Sequence, residues 1–124
     1  MKLFRSHRPD FRDGEQARDF IYVKDVVDVV IHMMESRPAS GLFNLGSGKA
    51  STFLELVAHT FKAMDLEPSI SFVDTPEDIR ERYQYFTKAN MDKLRDGGYH
   101  RDFTSLEAGV KEYVCNYLMK DMVN

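Results

Sequence analysis

The sequence predicts an α/β fold, in which short strands alternate with amphipathic helices. Three observations support this class: apolar runs of strand length, longer segments with apolar residues at helical spacing, and glycine or proline at the junctions between them. The predicted order of elements is β-α-β-α-β-α-α. The 124 residues correspond to one domain or to part of one.

The predicted strands are short. Residues 1–17 read as a short strand followed by a polar loop with turn signals. Residues 18–23 favour a strand because they combine aromatic and β-branched side chains. The apolar run Leu42–Leu45 predicts a buried strand, and residues 69–73 predict another. The charged segment 74–82 is expected to be a loop with about one helical turn.

The predicted helices are defined by their capping residues. Asp25 is the expected N-cap of a helix whose residues 26–34 are mostly apolar. Thr52–Glu55 has the Thr-x-x-Glu pattern of a capping box and opens the second helix. Thr87–Leu94 is predicted to be a helix that begins at its threonine and stops before two glycines. Thr104–Glu107 repeats the capping-box pattern and opens the last helix.

The predicted sheet is too small for its helices. A buried strand between strongly apolar helices is typical of a parallel sheet that is covered on both faces. Two interpretations remain open. The chain is a small three-stranded α/β domain, or the partner strands belong to an N-terminal domain outside this sequence.

Composition excludes several classes of function. The net charge of −3 provides no basic surface of the kind that binds nucleic acid. No apolar run reaches the ~18 residues of a membrane span, and residues 1–9 have no signal-peptide core. The single cysteine excludes an internal disulfide, as is typical of a reducing cytoplasm. The four histidines lack metal-ligand spacing, so we predict no metal site.

Two residues are the best candidates for ligand contacts. Arg18 lies at the start of a strand after a flexible loop, and a guanidinium matches the oxygens of a phosphate. The alternative for Arg18 is a salt bridge with Asp19 or Asp25. Tyr83 lies in an arginine-rich polar segment, where an aromatic ring suits a base or a ribose. Packing alone is the alternative for Tyr83, and it is the favoured interpretation for the neighbouring Tyr85-Phe86.

Gly46-Ser47-Gly48 is a weak motif. It indicates either a turn or a close approach of the backbone to another group. It lacks the third glycine of the Gly-x-Gly-x-x-Gly dinucleotide fingerprint. We therefore expect no cofactor-binding residue in this loop.

Several segments together resemble the ADP-L-glycero-D-manno-heptose 6-epimerase family. This family is one of the extended short-chain dehydrogenase/reductase enzymes that act on nucleotide sugars. The matching segments are Lys2–His7, Gly14–Phe20, Phe43–Gly46, Arg82–Thr87 and Leu94–Tyr99. The Arg-Asp-Phe and Asn-Leu-Gly sequences occur in many nucleotide-sugar enzymes, whereas Arg-Tyr-Gln-x-Phe-Thr is more specific to the heptose epimerase.

The resemblance implies a fold and a set of site residues. The fold is the C-terminal substrate-binding part of an extended short-chain dehydrogenase/reductase, with the Rossmann cofactor domain largely missing. All of residues 1–124 would form this one domain of a larger two-domain enzyme. The family's substrate-binding arginine falls on Arg18 and its tyrosine on Tyr83. A four-residue substrate-contacting segment falls on Phe4, Arg5, Ser6 and His7.

The resemblance also implies an activity. The family inverts C6 of an ADP-activated heptose with a tightly held NADP as transient hydride acceptor, in cytoplasmic synthesis of lipopolysaccharide core precursors. Apolar faces cut from a larger sheet would further favour a homo-oligomer. Neither the glycine-rich dinucleotide loop nor the catalytic Tyr-x-x-x-Lys pair occurs in this sequence. We therefore expect no catalytic residue and no turnover by the chain alone. The alternatives are another nucleotide-sugar epimerase or dehydratase, and a non-catalytic sugar-nucleotide binding module.

Overall fold

Short strands and helices alternate along the chain, as the computed structural model shows for the described residues 1–121. The strands are β1 (Lys2–Phe4), β2 (Ala17–Arg18), β3 (Ser51–Thr52) and β4 (Ser71–Val73). The helices are α1 (Val23–Ser36), α2 (Phe53–Ala63), α3 (Glu77–Arg80), α4 (Asp92–Asp96), α5 (Leu106–Tyr113) and α6 (Met119–Asp121), and a π-helical segment (Val114–Leu118) joins the last two. Among these residues no helix is long and apolar enough to span a bilayer. The predicted α/β class is confirmed.

The strands of the described region form two separate pairs. β1 pairs with β4 in parallel, and β2 pairs with β3 in antiparallel orientation. An additional parallel bridge joins Ala17 of β2 to Phe86. This bridge places the segment that follows α3 directly against β2.

Two of the predicted strands differ from the structure. Leu42–Leu45 forms no strand, and Leu42 is 86% exposed. An apolar run becomes a strand only when a neighbouring strand accepts its hydrogen bonds, and no described strand does so here. In the range 18–23 only Arg18 lies in a strand, because the chain enters α1 at Val23. The strand predicted at residues 69–73 is confirmed as β4.

The predicted starts of α1 and α5 are wrong. Tyr22 is the N-cap of α1 and makes no side-chain capping bond. The Asp25 carboxylate instead accepts hydrogen bonds from the backbone N–H and the hydroxyl of Thr104, both at 2.8 Å. The Thr104 hydroxyl is therefore hydrogen-bonded to Asp25 of α1 and does not cap α5. The N-cap of α5 is Ser105, whose Oγ accepts the Ala108 N–H at 3.2 Å.

Of the two other predicted N-caps, that of α2 is confirmed and that of α4 is wrong. The capping box of α2 is confirmed, since the Thr52 hydroxyl accepts the Glu55 N–H at 3.1 Å and the Glu55 carboxylate accepts the Thr52 N–H at 2.6 Å. The helix predicted to begin at Thr87 is wrong in its start. α4 begins only after Met91 and ends, as predicted, next to Gly97.

The core lies between α1 and α4. Its buried residues are Val29, Met91, Leu94 and Tyr99. Val29 is the one residue of α1 that is buried, and the large apolar residues of this helix that remain exposed are Val23, Val27, Val30, Ile31 and Met34. α1 therefore presents an apolar face to solvent, while α2 packs against α5 on another side of the molecule.

Candidate functional site

Arg18 ends β2 and lies over two aromatic rings. Its guanidinium carbon is 5.4 Å from the centroid of the Tyr83 ring and 5.7 Å from that of Phe53. Its Nη1 donates a hydrogen bond to the Ala17 carbonyl at 2.9 Å. A guanidinium that lies over aromatic rings uses none of its N–H groups in that contact, so those not bonded to Ala17 remain able to bind a ligand.

The alternative role of Arg18 as a salt-bridge partner is wrong for the described residues. The Asp19 carboxylate accepts bonds from Ser47 and Gly48, and the Asp25 carboxylate is bonded to Thr104. No ion pair with Arg18 exists in this part of the chain. Within residues 1–121 its charge is therefore balanced by no carboxylate.

A small cavity of about 200 Å³ lies beside this arginine. It is lined by Lys2, Leu3, Phe4, Gln16, Phe53 and Tyr83. The Phe4 and Tyr83 rings meet edge to face, with centroids 5.9 Å apart. Because Tyr83 and Phe53 also lie beneath Arg18, the cavity and the guanidinium share two walls. The structure thus brings Phe4, Arg18 and Tyr83 together.

The three other predicted residues lie in the turn after β1. Arg5 is 3.6 Å from the Asp74 carboxylate, and both side chains are well exposed. The Ser6 N–H donates to Asp13 Oδ1 at 2.7 Å. His7 accepts the Thr75 N–H on Nε2 at 3.3 Å. These contacts hold the turn in place, and none of them joins Arg5, Ser6 or His7 to the aromatic cavity.

Three supporting residues were not singled out as functional from the sequence. Gln16 and Thr75 are each 1% exposed. Gln16 Nε2 donates a hydrogen bond to the Phe4 carbonyl at 3.3 Å. Thr75 Oγ1 donates one to the Arg5 carbonyl at 3.1 Å. Tyr85, predicted to pack, is indeed buried. The same prediction is wrong for Phe86, which is 57% exposed. Isolated polar residues in loops have no periodic pattern, so no sequence signal marked Gln16 or Thr75.

The glycine loop 46–48 closes around an internal carboxylate. Asp19 accepts hydrogen bonds from the Ser47 N–H at 2.7 Å, the Ser47 hydroxyl at 2.6 Å, the Gly48 N–H at 3.0 Å and the Ala89 N–H at 2.9 Å. A Cβ on Gly46 would lie 2.5 Å from Asp19 Oδ2, so this glycine is required by close approach. The Ser47 and Gly48 amides therefore bind Asp19 and are not free to bind a pyrophosphate.

Comparisons with known proteins agree with these observations. The family model described as "NAD dependent epimerase/dehydratase family" matches residues 6–46. An ADP-L-glycero-D-manno-heptose-6-epimerase of Nitratidesulfovibrio vulgaris (strain DP4) is 54% identical over 118 residues, which cover 95% of this chain and 36% of the relative. One of Fusobacterium nucleatum is 46% identical, over 98% of this chain and 38% of the relative. The chain thus spans little more than a third of the length of these relatives.

Solved structures show the same fold. The Helicobacter pylori ADP-L-glycero-D-manno-heptose-6-epimerase superposes with a TM-score of 0.71 at 26% identity, covering 94% of this chain and 32% of that one. The Bifidobacterium longum UDP-glucose 4-epimerase in complex with NAD+ and UDP superposes with a TM-score of 0.80 at 18% identity, covering 98% and 35%. The chain therefore resembles the ADP-L-glycero-D-manno-heptose 6-epimerases over almost its whole length, and its fold is that of about one third of an extended short-chain dehydrogenase/reductase enzyme.

Proposed function

We propose that residues 1–124 form the substrate-binding C-terminal domain of a two-domain ADP-L-glycero-D-manno-heptose 6-epimerase. The named relatives at 46% and 54% identity support this assignment. The complete enzyme would invert C6 of the ADP-activated heptose through transient oxidation by NADP. Its product would serve lipopolysaccharide core synthesis in the cytoplasm, and the working enzyme would be a homo-oligomer.

One observation carries the proposal. The guanidinium of Arg18 lies over the Tyr83 and Phe53 rings, beside an aromatic cavity and without a carboxylate partner among the described residues. A nucleotide sugar needs a cation for its pyrophosphate and apolar surface for its rings. Arg18 would bind the pyrophosphate, and Tyr83 with Phe4 would bind the base or the sugar. Arg5, Ser6 and His7 would complete the site from the turn after β1.

We expect that the chain's own residues do not provide for hydride transfer. The amides of the glycine loop bind Asp19, and the sequence contains neither the dinucleotide fingerprint nor a Tyr-x-x-x-Lys pair. The role of these residues in the proposed reaction is to bind and orient the substrate. An assay of the interconversion of the two C6 epimers of the ADP-heptose, by the isolated chain with added NADP, is expected to show no turnover. Measurable turnover would show that this chain performs the redox step itself.

Calorimetric titration with ADP-L-glycero-D-manno-heptose tests the proposal. We expect Arg18→Ala to weaken binding roughly 10- to 150-fold, because a charge-assisted contact contributes about 1.5–3 kcal/mol. The matched control is Arg101→Ala, which removes an exposed arginine that pairs with Asp28. This control should bind as the wild type does, and the isolated chain should not bind NADP.

The nucleotide comparison separates the alternatives. Tighter binding of ADP than of UDP supports the heptose epimerase, whereas a preference for UDP or dTDP points to another epimerase or a dehydratase. Equal loss of affinity in both arginine variants would exclude a specific phosphate contact by Arg18. If no nucleotide sugar binds, the chain does not form a substrate site by itself, and its proposed role as a substrate-binding domain is overturned.

A further inference from the structure

Tyr85 connects all three segments of the candidate site. It is 6% exposed, and it does not line the aromatic cavity. We propose that Tyr85 is a positioning residue that aligns the Phe4–His7 turn, Arg18 and Tyr83 with one another. The proposal rests on the proposed function for the identity of the ligand, and on the following contacts for the geometry.

The backbone of Tyr85 fixes Arg18. The Ala17 N–H donates to the Tyr85 carbonyl at 2.9 Å, and the Thr87 N–H donates back to the Ala17 carbonyl at 3.2 Å. This pair of bonds sets the register between β2 and the segment that carries Tyr83. Since Arg18 follows Ala17 directly, the bonds also fix where the guanidinium lies relative to the Tyr83 ring.

The ring of Tyr85 supports Tyr83. The two rings meet at 86°, with centroids 5.4 Å apart. On its other contacts the Tyr85 ring lies 5.3 Å from the Phe11 centroid and 5.2 Å from the Arg8 guanidinium carbon. A ring that is packed against three neighbours restricts the rotamer of Tyr83, and Tyr83 in turn is the surface on which Arg18 lies.

The hydroxyl of Tyr85 fixes the turn after β1. Its oxygen accepts the His7 N–H at 2.9 Å, across 78 residues of sequence. At the start of the same turn the Phe4 carbonyl accepts a bond from Gln16. The turn is thus held at one end by Gln16, which lines the cavity, and at the other end by Tyr85, which does not. Loss of the hydroxyl would release the His7 end without removing any proposed ligand contact.

Tyr85→Phe isolates this effect, because it keeps the packed ring and removes only the acceptor. Amide hydrogen exchange of His7 should accelerate roughly fivefold to tenfold, the factor expected for one hydrogen bond. Affinity for ADP-L-glycero-D-manno-heptose should fall about threefold to tenfold. The control is Tyr99→Phe, which removes another buried hydroxyl, one that donates to Asp28 at 2.8 Å. It should change neither quantity.

The exchange and affinity measurements together distinguish the positioning role of Tyr85 from the proposed function. Unchanged exchange at His7 in Tyr85→Phe would overturn the positioning role, and so would faster exchange with unchanged affinity. Loss of affinity equal to that in Tyr99→Phe would indicate general destabilisation and would likewise overturn it. Failure of the wild type to bind the ADP-sugar would overturn the proposed function instead. The exchange measurement needs no ligand, so it would still decide whether Tyr85 holds the turn.

Discussion

At the scale of single residues, the Asp19 carboxylate is stabilised by hydrogen bonds from the glycine loop 46–48. Burial by itself would raise the pKa of the Asp19 carboxyl, but hydrogen bonds from the Ser47 hydroxyl and from the N–H groups of Ala89, Ser47 and Gly48 outweigh it. The pKa therefore lies below its ordinary value of 3.8. Asp19 directly follows Arg18, and its carboxylate joins this end of β2 to the glycine loop and to the backbone of Ala89.

We predict that Asp19→Asn lowers the free energy of unfolding at pH 7 by about 2–3 kcal/mol, because an amide cannot accept all the N–H donors that face the carboxylate. The pKa is depressed in the folded state, so the stabilisation is fully present above pH 3.8 and is lost as the pH falls through the folded value. The variant should consequently lose less stability than the wild type below pH 4. Urea unfolding from pH 7 to pH 3 measures both effects.

The control for this prediction is Asp96→Asn, which changes an exposed aspartate at the end of α4. Its unfolding free energy should stay within about 0.5 kcal/mol of the wild type at pH 7. Identical acid profiles for the wild type and Asp19→Asn would show that the Asp19 carboxylate does not stabilise the fold through its charge.

At the scale of elements, helix α2 has the most clearly defined start. Its capping box satisfies two N–H groups through reciprocal bonds between Thr52 and Glu55. Thr87 offers a matched comparison, because its sequence also suggested an N-cap but no helix begins there. The two threonines separate a true cap from a residue of the same type in a loop.

We predict that Thr52→Ala lowers the free energy of unfolding by about 1 kcal/mol, the usual cost of removing an N-cap hydroxyl. Thr87→Ala should change it by less than about 0.5 kcal/mol. Chemical denaturation with equal slopes for the three proteins provides the measurement. A cost for Thr87→Ala as large as that for Thr52→Ala would contradict the assignment of the caps.

The same elements show which features can be predicted from sequence. The Thr52 capping box could be predicted because all its partners lie within four residues. The α5 start could not, because Thr104 bonds to Asp25 across 79 residues and leaves the cap to Ser105. Arg18 and Tyr83 were identified by residue type and by resemblance. Their alignment depends on long-range bonds from Tyr85 that have no local signature.

At the scale of the whole molecule, the exposed face of α1 is the main anomaly. Val27, Val30, Ile31 and Met34 are between 47% and 70% exposed, and Leu42 is 86% exposed. A helix with apolar residues on its solvent side normally packs against another element. Since the chain spans about a third of its relatives' length, we infer that this face lies against a part of the longer proteins or against a second copy of the chain.

We predict that the isolated chain self-associates through this face, so that its sedimentation depends on concentration. Val30→Lys combined with Met34→Lys should reduce this association, because two charges would be desolvated in the contact. The unfolding free energy of the monomer should change by less than about 1 kcal/mol, since both side chains are exposed. By contrast Val29→Ala, at the buried position, should cost about 2 kcal/mol.

Sedimentation that does not depend on concentration in the wild type would rule out this self-association. Equal association by the wild type and the double lysine variant would place the contact elsewhere on the surface. Destabilisation by the lysines as large as that by Val29→Ala would show that the exposed face is part of the core.

The parallel pairing of β1 with β4 has a consequence for the order of folding. The paired residues are separated by about seventy positions. The entropic cost of closing so long a loop arises before the strand pairing can stabilise the chain. The turn that carries Phe4–His7 follows β1 directly, and its last bond needs Tyr85. During synthesis the helices α1 and α2 are complete before β4 and Tyr85 emerge. The proposed site is therefore expected to form only after Tyr85 has emerged, and a nascent chain that stops short of Tyr85 can contain both helices without containing a site.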